Sequence, residues 1–441
     1  MRTASASNAL MRLLEKQGIV PSLAWGYVAV TLFMIGDGIE VGFLSPYLDS
    51  RGFSDSSVAL LWSVYGIVVA VSCWLAGALA ESWGPKRVML TGLWIWVILE
   101  VAFLFAISQE NFTLMLVSFG IRGIGYPLFA YGFLVWVIMD TPDELMGKAV
   151  GWYWFSFTLG LGVISAYLAG ALIPLVGPMA VLWTSLGFVL AGGLIAMFVL
   201  KGKAQEPVTL AGSLRGLVSS VTIVRRDHRI GYGGLLRIIN TLSFYAFVAF
   251  LTTYMVRDVG FGLSEWQFIW GTMLLFNILA NLASGYLADW LGRINVVIWG
   301  GCIGTMATIL GMYYIPATFG AAFWPTMIIA VLYGIAVGMF VPLSAVVPLL
   351  ASPRHRAAAL AVLNLGAGLS QFFGPAIAAL ASTSAGAEGT VWVLAGISVV
   401  GVGLALTLRG GRRVDDEDFD AAPDAPAQDS VASRPARQPR V

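Results

Sequence analysis

The chain has 441 residues, of which 58% are hydrophobic and only 11% are charged. This charged fraction is less than half that of an ordinary soluble domain, and a net charge of +1 offers no surface for a polyanion. Soluble enzymes and nucleic-acid-binding proteins are therefore excluded, and a composition rich in Trp, Phe and Gly indicates a multi-pass membrane protein.

The cysteines and histidines predict neither a disulfide framework nor a metal site. Cys73 and Cys302 lie far apart in apolar runs, and His228 and His355 lie in polar connections. The sequence contains no recognisable nucleophile–base set, so we expect no enzymatic activity and no cofactor.

Twelve apolar runs approach or exceed the roughly 20 residues that a helix needs to cross a bilayer. They occupy residues 23–48, 58–79, 88–107, 113–139, 149–173, 179–200, 232–256, 266–288, 294–315, 323–350, 357–380 and 390–406. The first run exceeds a signal-peptide core and lacks a small-residue cleavage site, so it is interpreted as a retained span. The pattern predicts an all-α membrane protein with twelve transmembrane helices, six on each side of a polar connector.

The basic residues predict the orientation of these spans. With the N-terminus inside, 21 of the 25 Lys and Arg residues fall in cytoplasmic segments, where positive charge is favoured. The predicted organisation is a cytoplasmic N-terminus (1–22), a first bundle (23–200), a cytoplasmic connector with an amphipathic helix (201–231), a second bundle (232–408) and a disordered acidic cytoplasmic tail (409–441).

A short loop pattern occurs twice, at the predicted cytoplasmic ends of spans two and eight. The first copy contains Gly77, Glu81 and Gly84, and the second, 208 residues later, contains Gly285, Asp289, Gly292 and Arg293. Equivalent positions in two six-span halves indicate an internal duplication. Both copies resemble the cytoplasmic signature of the major facilitator superfamily, which implies two pseudo-symmetric six-helix bundles.

The resemblance also implies that these loops form a cytoplasmic gate, which latches the outward-facing state by pairing with helix ends. Glycine would let each helix end approach a neighbour closely. The first copy departs from the pattern, because Glu81 replaces the usual aspartate and Ser82 and Pro85 occupy basic positions. The alternative for both loops is that their charged residues only set the membrane topology and form no gate.

Charged residues inside spans are costly and need partners. Asp37 and Glu40 share one face of span one, and Arg122 lies in span four. Glu40 lies 17 residues from the inner end of its span, which is 25 residue steps long, and Arg122 lies 17 residues from the inner end of its own span, which is 26 steps long. Their depths in the membrane therefore agree. In the major facilitator arrangement spans one, four, seven and ten line the cavity, which lets Arg122 pair with Glu40, Asp37 or both.

Two acids beside one base favour proton exchange, because one of the acids tends to hold its proton. Asp37, Glu40 and Arg122 are therefore predicted to carry proton coupling, with the proton gradient as the energy source. A purely structural ion pair is the alternative. Glu100 in span three has no partner identifiable from the sequence, and it is interpreted as a protonated packing residue on a peripheral helix.

Neutral polar side chains predict the solute site. They are Asn240 and Ser243 in span seven, beside Arg237, then Asn277 and Asn281 in span eight, and Asn364 and Gln371 in span eleven. Amides donate and accept hydrogen bonds at once, and here they outnumber unpaired cations, so a small neutral polyhydroxylated solute is favoured. Tyr126, Trp152 and Trp154 are candidates to stack on its carbon chain. Helix–helix hydrogen bonds and core packing are the alternatives.

Several segments resemble the polyol permeases, the bacterial ribitol and D-arabinitol transporters of the superfamily. They are Trp25-Gly-Tyr-Val-Ala-Val, Gly36-Asp-Gly-Ile-Glu40, Gly120-Ile-Arg122-Gly with Tyr126-Pro-Leu-Phe129, Arg237-Ile-Ile-Asn-Thr-Leu-Ser243 and Asn364-Leu-Gly-Ala-Gly-Leu-Ser370. The resemblance implies proton-linked import of a linear sugar alcohol across a bacterial inner membrane, and we expect a monomer. The expected substrate contacts are Arg122, Tyr126, Trp154, Arg237, Asn240, Asn364 and Gln371.

Other functions stay open. The protein could be a facilitator, or a symporter for a sugar or for an organic anion bound by Arg122 and Arg237. A proton-linked exporter is disfavoured, because predicted span five has Gly160 and Gly162 without the proline of the exporter signature. The charged residues expected in the cavity argue against a non-transporting membrane sensor.

Overall fold

The computed structural model of the protein describes residues 14–201, 223–225, 227–351 and 356–409. Over this part the chain is helical with short turns and forms no strand. The acidic tail and most of the predicted amphipathic connector lie outside the described residues.

Ten helices in the described part are long and apolar enough to cross a membrane. They correspond to predicted spans two to ten, followed by one helix that covers predicted spans eleven and twelve. Their bounds are Asp55–Trp83, Pro85–Ser108, Phe112–Asp140, Lys148–Val176, Pro178–Val199, His228–Leu251, Leu263–Leu291, Arg293–Phe319, Phe323–Leu350 and Ala359–Thr407. The chain is thus an all-α multi-pass membrane protein.

The first span is not among the ten because its helix is broken. After a 3-10 turn at Pro21–Leu23, it forms the helix Ala24–Gly38, a turn through residues 39–43 and the short helix Leu44–Ser50. Gly38 ends the inner helix where span five crosses it, and a Cβ atom there would lie 2.1 Å from the carbonyl oxygen of Leu161. The break places Glu40 in non-helical backbone.

The last helical run, Arg356–Thr407, contains 52 residues. At 1.5 Å per residue a straight helix of that length would reach about 78 Å, more than twice the thickness of the bilayer core. Gly386 interrupts it with φ 65° and ψ −165°, a backbone conformation that glycine adopts readily. The interruption falls between predicted spans eleven and twelve.

Irregular backbone is frequent in the other spans. Span four turns at residues 123–124, between the helices Phe112–Arg122 and Gly125–Asp140, and span ten turns after Phe323–Gly338. Span seven passes from the α-helix His228–Ala246 into π-helical turns at Phe247–Leu251 and Tyr254–Asp258. Further π-helical turns occupy Leu159–Ile164, Ile195–Val199 and Val296–Ile303. Discontinuous helices often surround the site in membrane transporters.

Small residues bring the two six-span halves together. Gly66 of span two packs on the backbone of span eleven, where a Cβ atom would lie 2.1 Å from the carbonyl oxygen of Gln371. Span five packs on span eight in the same way, through Gly162 against Leu274 and Gly271 against Ala166. Close backbone approach at small residues is a common means of helix packing in membranes.

The two halves touch at their predicted extracellular ends, here called the outer ends, and in their middle. Among the described residues, hydrogen bonds between the halves come from Ser45, Tyr167, Arg257, Ser264 and Gln371. At the opposite, inner ends, Tyr286 and Trp290 of span eight are 80% and 93% exposed. The described residues therefore tie the two halves together at the outer side and in the middle, and no hydrogen bond or ion pair between them joins the inner ends.

Candidate transport site

A buried cluster of charged side chains lies between spans one, three and four. Arg122 has no exposed surface, and its guanidinium donates to two carboxylates. Glu40 accepts from Nη2 and, at 3.2 Å, from Nη1, while Glu100 accepts from Nη1. The other oxygen of Glu100 lies 3.2 Å from the hydroxyl of Ser185 in span six, which shares its single proton between Glu100 and the carbonyl oxygen of Leu182 at 2.6 Å. Because buried charges need partners, each member holds the others in place.

Asp37 lies about one helical turn closer than Glu40 to the inner end of span one, and it binds a different partner. The indole Nε1 of Trp96 donates to Asp37 Oδ1 at 2.6 Å. Asp37 and Glu40 are three residues apart on span one, and Trp96 and Glu100 are four apart on span three, so the two spans meet in two layers. Of the two partners predicted for Arg122, the structure has Glu40, whereas Asp37 binds Trp96.

Glu100 corrects one interpretation made from the sequence. It is a direct partner of Arg122 and not an isolated packing residue on a peripheral helix. The signal was available: Glu100 lies 7 residues from the outer end of its predicted span and Arg122 lies 9 from that of its own. Their depths therefore agree to within two residues.

Aromatic rings surround the Arg122 guanidinium. Its central carbon lies 4.5 Å from the ring centre of Phe119, 5.1 Å from Trp96, 5.6 Å from Phe103 and 5.7 Å from Tyr65. The negative faces of such rings attract a cation. Arg122 also ends the helix Phe112–Arg122, and a helix C-terminus favours positive charge. Charge, rings and helix end together fix this arginine.

The second half holds a different arginine site. Arg237 is half-buried and donates to Asn240 Oδ1, and Asn240 Nδ2 donates to the carbonyl oxygen of Val337 in span ten at 3.1 Å. No carboxylate pairs with Arg237 among the described residues, and its electrostatic neighbours are the phenols of Tyr131 and Tyr245. Both amide atoms of Asn240 are thus engaged within the protein, while Arg237 keeps donors for another acceptor.

Neutral polar groups form hydrogen bonds between spans, and one of these bonds joins the two halves. Gln371 Nε2 donates to the hydroxyl of Tyr126 at 2.9 Å, which joins span eleven to span four. Thr241 and Ser370 share a 2.7 Å hydrogen bond between spans seven and eleven. Asn364 is exposed, whereas Asn277 donates to the carbonyl oxygen of Gly334 and so ties span eight to span ten.

The predicted aromatic candidates occupy one side of this region. Trp154 packs edge-on against Tyr131 with ring centres 6.0 Å apart, and Trp152 packs against Phe155. Both tryptophans are more than a third exposed. Trp154 is therefore beside the Tyr131 phenol that neighbours Arg237, while the contact of Trp152 is with its own helix.

An ion-pair network closes the outer side between the two halves. Arg257, which follows span seven, donates to Asp49 at 2.9 Å and to Asp55 at 3.0 Å, and it also pairs with Asp258. Below it Ser45 donates to the carbonyl oxygen of Val248 at 2.6 Å and accepts from Trp62 Nε1 at 3.0 Å. We call the network of Arg257, Asp49, Asp55 and Asp258 the outer gate.

The two predicted cytoplasmic loops share one backbone geometry. Gly84 has φ 89° and ψ 137°, Gly292 has φ 85° and ψ 134°, and each donates its N–H to the carbonyl four residues before, at 3.1 Å. A positive φ requires glycine or nearly so. The repetition of this conformation supports the internal duplication inferred from the sequence.

The predicted latch contacts of these loops are not made in this arrangement. Glu81, Asp289 and Arg293 are exposed and form no ion pair with other described residues. Nothing lies within 4 Å of a Cβ atom built on Gly77 or Gly285. Because the resemblance assigns the latch to the outward-facing state, the absence of these contacts accords with an outer side at which the two halves are joined.

Discontinuous apolar helices around a buried charged cluster are typical of membrane transport proteins. A sequence model described as Major Facilitator Superfamily matches residues 26–318 and 233–440. The chain belongs to the major facilitator superfamily.

Named bacterial transporters are similar along most of the chain. An alpha-ketoglutarate permease of Bacillus subtilis (strain 168) is 41% identical over 388 residues, 87% of this chain and 88% of the relative. A D-arabinitol transporter and a ribitol transporter of Klebsiella pneumoniae are 38% and 37% identical, each over 82% of this chain and 86% of the relative. The resemblance to the polyol permeases is thereby confirmed.

The fold also matches solved structures of the superfamily. The nucleoside transporter NupG has a TM-score of 0.72 at 14% identity, covering 89% of this chain and 100% of its own. At this identity the match shows the fold alone.

Sequence reasoning missed the groups that connect the predicted site residues. Trp96, Ser185 and Tyr65 are ordinary residues of apolar helices, and nothing in their local sequence sets them apart. Arg257 and Asp55 were placed in loops, where charge is expected, so no signal predicted that they would meet across the halves.

Proposed function

We propose that this protein is a proton-coupled importer of a linear sugar alcohol, such as ribitol or D-arabinitol, that works by alternating access. The buried cluster of Asp37, Glu40, Glu100 and Arg122 carries the proposal. Three carboxylates beside one guanidinium would leave two negative charges if all were ionised, and a dry protein interior does not tolerate such an excess. The cluster therefore has reason to bind and release protons.

The neutral groups between the halves support a polyol as the solute. The hydroxyl of Tyr126, the amides of Gln371 and Asn364 and the pair of Thr241 and Ser370 can each donate and accept hydrogen bonds. Such groups match a chain of hydroxyls, and the hydrogen bonds of Gln371 with Tyr126 and of Thr241 with Ser370 join spans four, seven and eleven. The relatives named for D-arabinitol and ribitol transport add to this support.

The proposal includes the setting of the protein. It places the chain in the bacterial inner membrane as a monomer, with both termini in the cytoplasm, because 21 of the 25 basic residues then lie on the cytoplasmic side. Import follows when solute and proton enter from the outside and leave through the inner opening.

Uptake into liposomes tests the proposal. Vesicles with an alkaline interior are offered labelled ribitol, D-arabinitol, mannitol and xylose, and we expect a pentitol to accumulate above its equilibrium level until a protonophore is added. Asp37→Asn and Glu40→Gln should abolish accumulation. Failure of every pentitol to enter would refute the polyol assignment, and uptake that only reaches equilibrium would refute the proton coupling.

A linear dicarboxylate is the second candidate substrate. Arg237 has no carboxylate partner among the described residues, and an unpaired guanidinium at a membrane cavity is a natural ligand for a carboxylate. A relative at 41% identity is named an alpha-ketoglutarate permease. Alpha-ketoglutarate and the pentitols are both linear chains of five carbons with oxygen at several positions. In the same vesicles, uptake of labelled alpha-ketoglutarate in place of the pentitols would favour this candidate.

A further inference from the structure

We infer that Glu100 and Glu40 divide the work of binding Arg122: Glu100 is the fixed counter-ion, and Glu40 is the exchangeable one that controls the outer gate. The inference deepens the proposed proton coupling and rests on it. It assigns a positioning role to Glu100 and a conformational role to the break in span one.

The surroundings of Glu100 hold it in place. It lies on the continuous helix Pro85–Ser108, has no exposed surface, and both of its carboxylate oxygens are bound within the protein. One oxygen accepts from Arg122 and the other from Ser185 of span six. Because Glu100 is fully buried on a regular helix between two spans, its carboxylate has little room to leave Arg122.

Glu40 is held differently, because it lies in the turn that breaks span one. Its side chain binds Arg122, while its backbone carbonyl accepts the N–H groups of Phe43 at 3.0 Å and Leu44 at 2.8 Å. Glu40 therefore joins the arginine directly to the start of the outer helix Leu44–Ser50. A turn can rearrange at less cost than a regular helix, so this carboxylate can leave Arg122.

The outer helix Leu44–Ser50 carries the contacts that close the outer side. Ser45 binds the backbone of Val248 in the other half, and Asp49 binds Arg257 of the outer gate. Gly42, within the turn, packs against the buried amide of Gln267 in span eight, with 2.5 Å from a built Cβ to Oε1. A displacement of Glu40 thus acts on every inter-half contact of this helix.

Four titratable groups face Glu40 from the elements packed around it. They are Asp37 on its own span, Tyr65 on span two, Glu100 on span three and Arg122 on span four. A proton on Glu40 removes its charge and weakens its hold on Arg122, while Glu100 keeps the guanidinium neutralised. Removing the charge of Glu100 has the opposite effect, because Glu40 becomes the main partner of Arg122 and binds it more firmly.

Cysteine labelling at the outer gate tests this division. Ala249 is buried beside Asp55 and Arg257, so Ala249→Cys in a protein carrying Cys73→Ala and Cys302→Ala reports opening of the outer side to an impermeant maleimide. Labelling is measured across a pH series without substrate, and at each pH the rate is divided by that of the same protein unfolded in denaturant, because maleimide reacts with the thiolate and slows as the pH falls. We expect labelling of this protein to rise as the pH falls, because protonation releases Glu40.

The two glutamine variants should move labelling in opposite directions. Glu40→Gln should label on the order of tenfold faster at neutral pH and lose the pH dependence, because its release is permanent. Glu100→Gln should label more slowly, with the rise shifted to lower pH, and Glu100→Asp should restore part of the original profile. If the substitutions only disturbed the structure, the labelling rates of both variants would change in the same direction. Size-exclusion profiles check that each variant is folded.

Three results would overturn the inference. They are faster labelling in Glu100→Gln than in Glu40→Gln, equal labelling in both variants, and labelling of the parent protein that does not change with pH. Because the assay contains no solute, a failure of pentitol uptake would refute the proposed substrate and leave this test intact.

Discussion

At the scale of residues, the two arginines within the spans have opposite environments. Arg122 is neutralised by Glu40 and Glu100 and enclosed by rings, so its charge serves the protein itself. Arg237 is bound only to an amide oxygen among the described residues, so its remaining donors can serve a solute. The difference supports the proposed separation of a coupling site from a binding site, and it gives Arg237 a testable role.

Substitution of Arg237 distinguishes a polyol from an anion. For a polyol we expect Arg237→Gln to raise the KM roughly tenfold, because one hydrogen bond to a charged group contributes about 1.5 kcal/mol or more. Some uptake should remain, since hydroxyls can also bind an amide. The measurement is initial uptake of labelled ribitol against concentration. Complete loss in Arg237→Gln with recovery in Arg237→Lys would instead show that charge is required, as an anionic substrate demands.

At the scale of elements, the two halves of the internal duplication share their helices and loop conformations but not their buried charges. The loop glycines Gly84 and Gly292 share one conformation 208 residues apart. At the same offset, Asp37, Glu40 and Arg122 correspond to Tyr245, Val248 and Ala330. The charged cluster is therefore confined to the first half, whereas the close helix packing at glycines extends across both.

Gly66 tests the packing of span two on span eleven. Alanine favours helix by about 1 kcal/mol over glycine, but at this position its Cβ would lie 2.1 Å from a backbone oxygen. Overpacking of that kind costs about 1–3 kcal/mol, so Gly66→Ala should lower the melting temperature and reduce uptake. The matched control is Gly187→Ala, where nothing lies within 4 Å and slight stabilisation is expected. Equal melting temperatures for the two variants would contradict the packing.

At the scale of the whole molecule, the ion pairs of the outer gate link the two halves. Hydrogen bonds to Asp258 and Asp55 raise the pKa of Arg257 above its ordinary value, so the guanidinium stays charged at any working pH. Its partners are partly exposed, and each exposed pair contributes less than about 1 kcal/mol. The gate is therefore weak enough to open in each transport cycle.

Arg257→Gln should make the outer side open more often. With pairs of this strength we expect labelling at Ala249→Cys to rise roughly fivefold at low salt, and less at high salt because ions screen exposed charges. The control is Arg51→Gln, since Arg51 pairs with Glu110 at 2.7 Å inside the first half and has comparable exposure. Similar increases in both variants would show that the effect is not specific to the contact between the halves.

The sequence alone determined the class of fold, the spans and the depth of each buried charge. Hydropathy is a property of consecutive residues, so nine spans were placed to within five residues, and equal depth paired Glu40 with Arg122. Depth does not determine which face of a helix meets which neighbour, and for that reason Glu100 was left without a partner and Asp37 was not assigned to Trp96. The breaks in spans one and four and the meeting of Arg257 with Asp49 and Asp55 were likewise decided by tertiary packing. Such contacts join residues up to 208 positions apart, and only the folded arrangement of the helices brings them together.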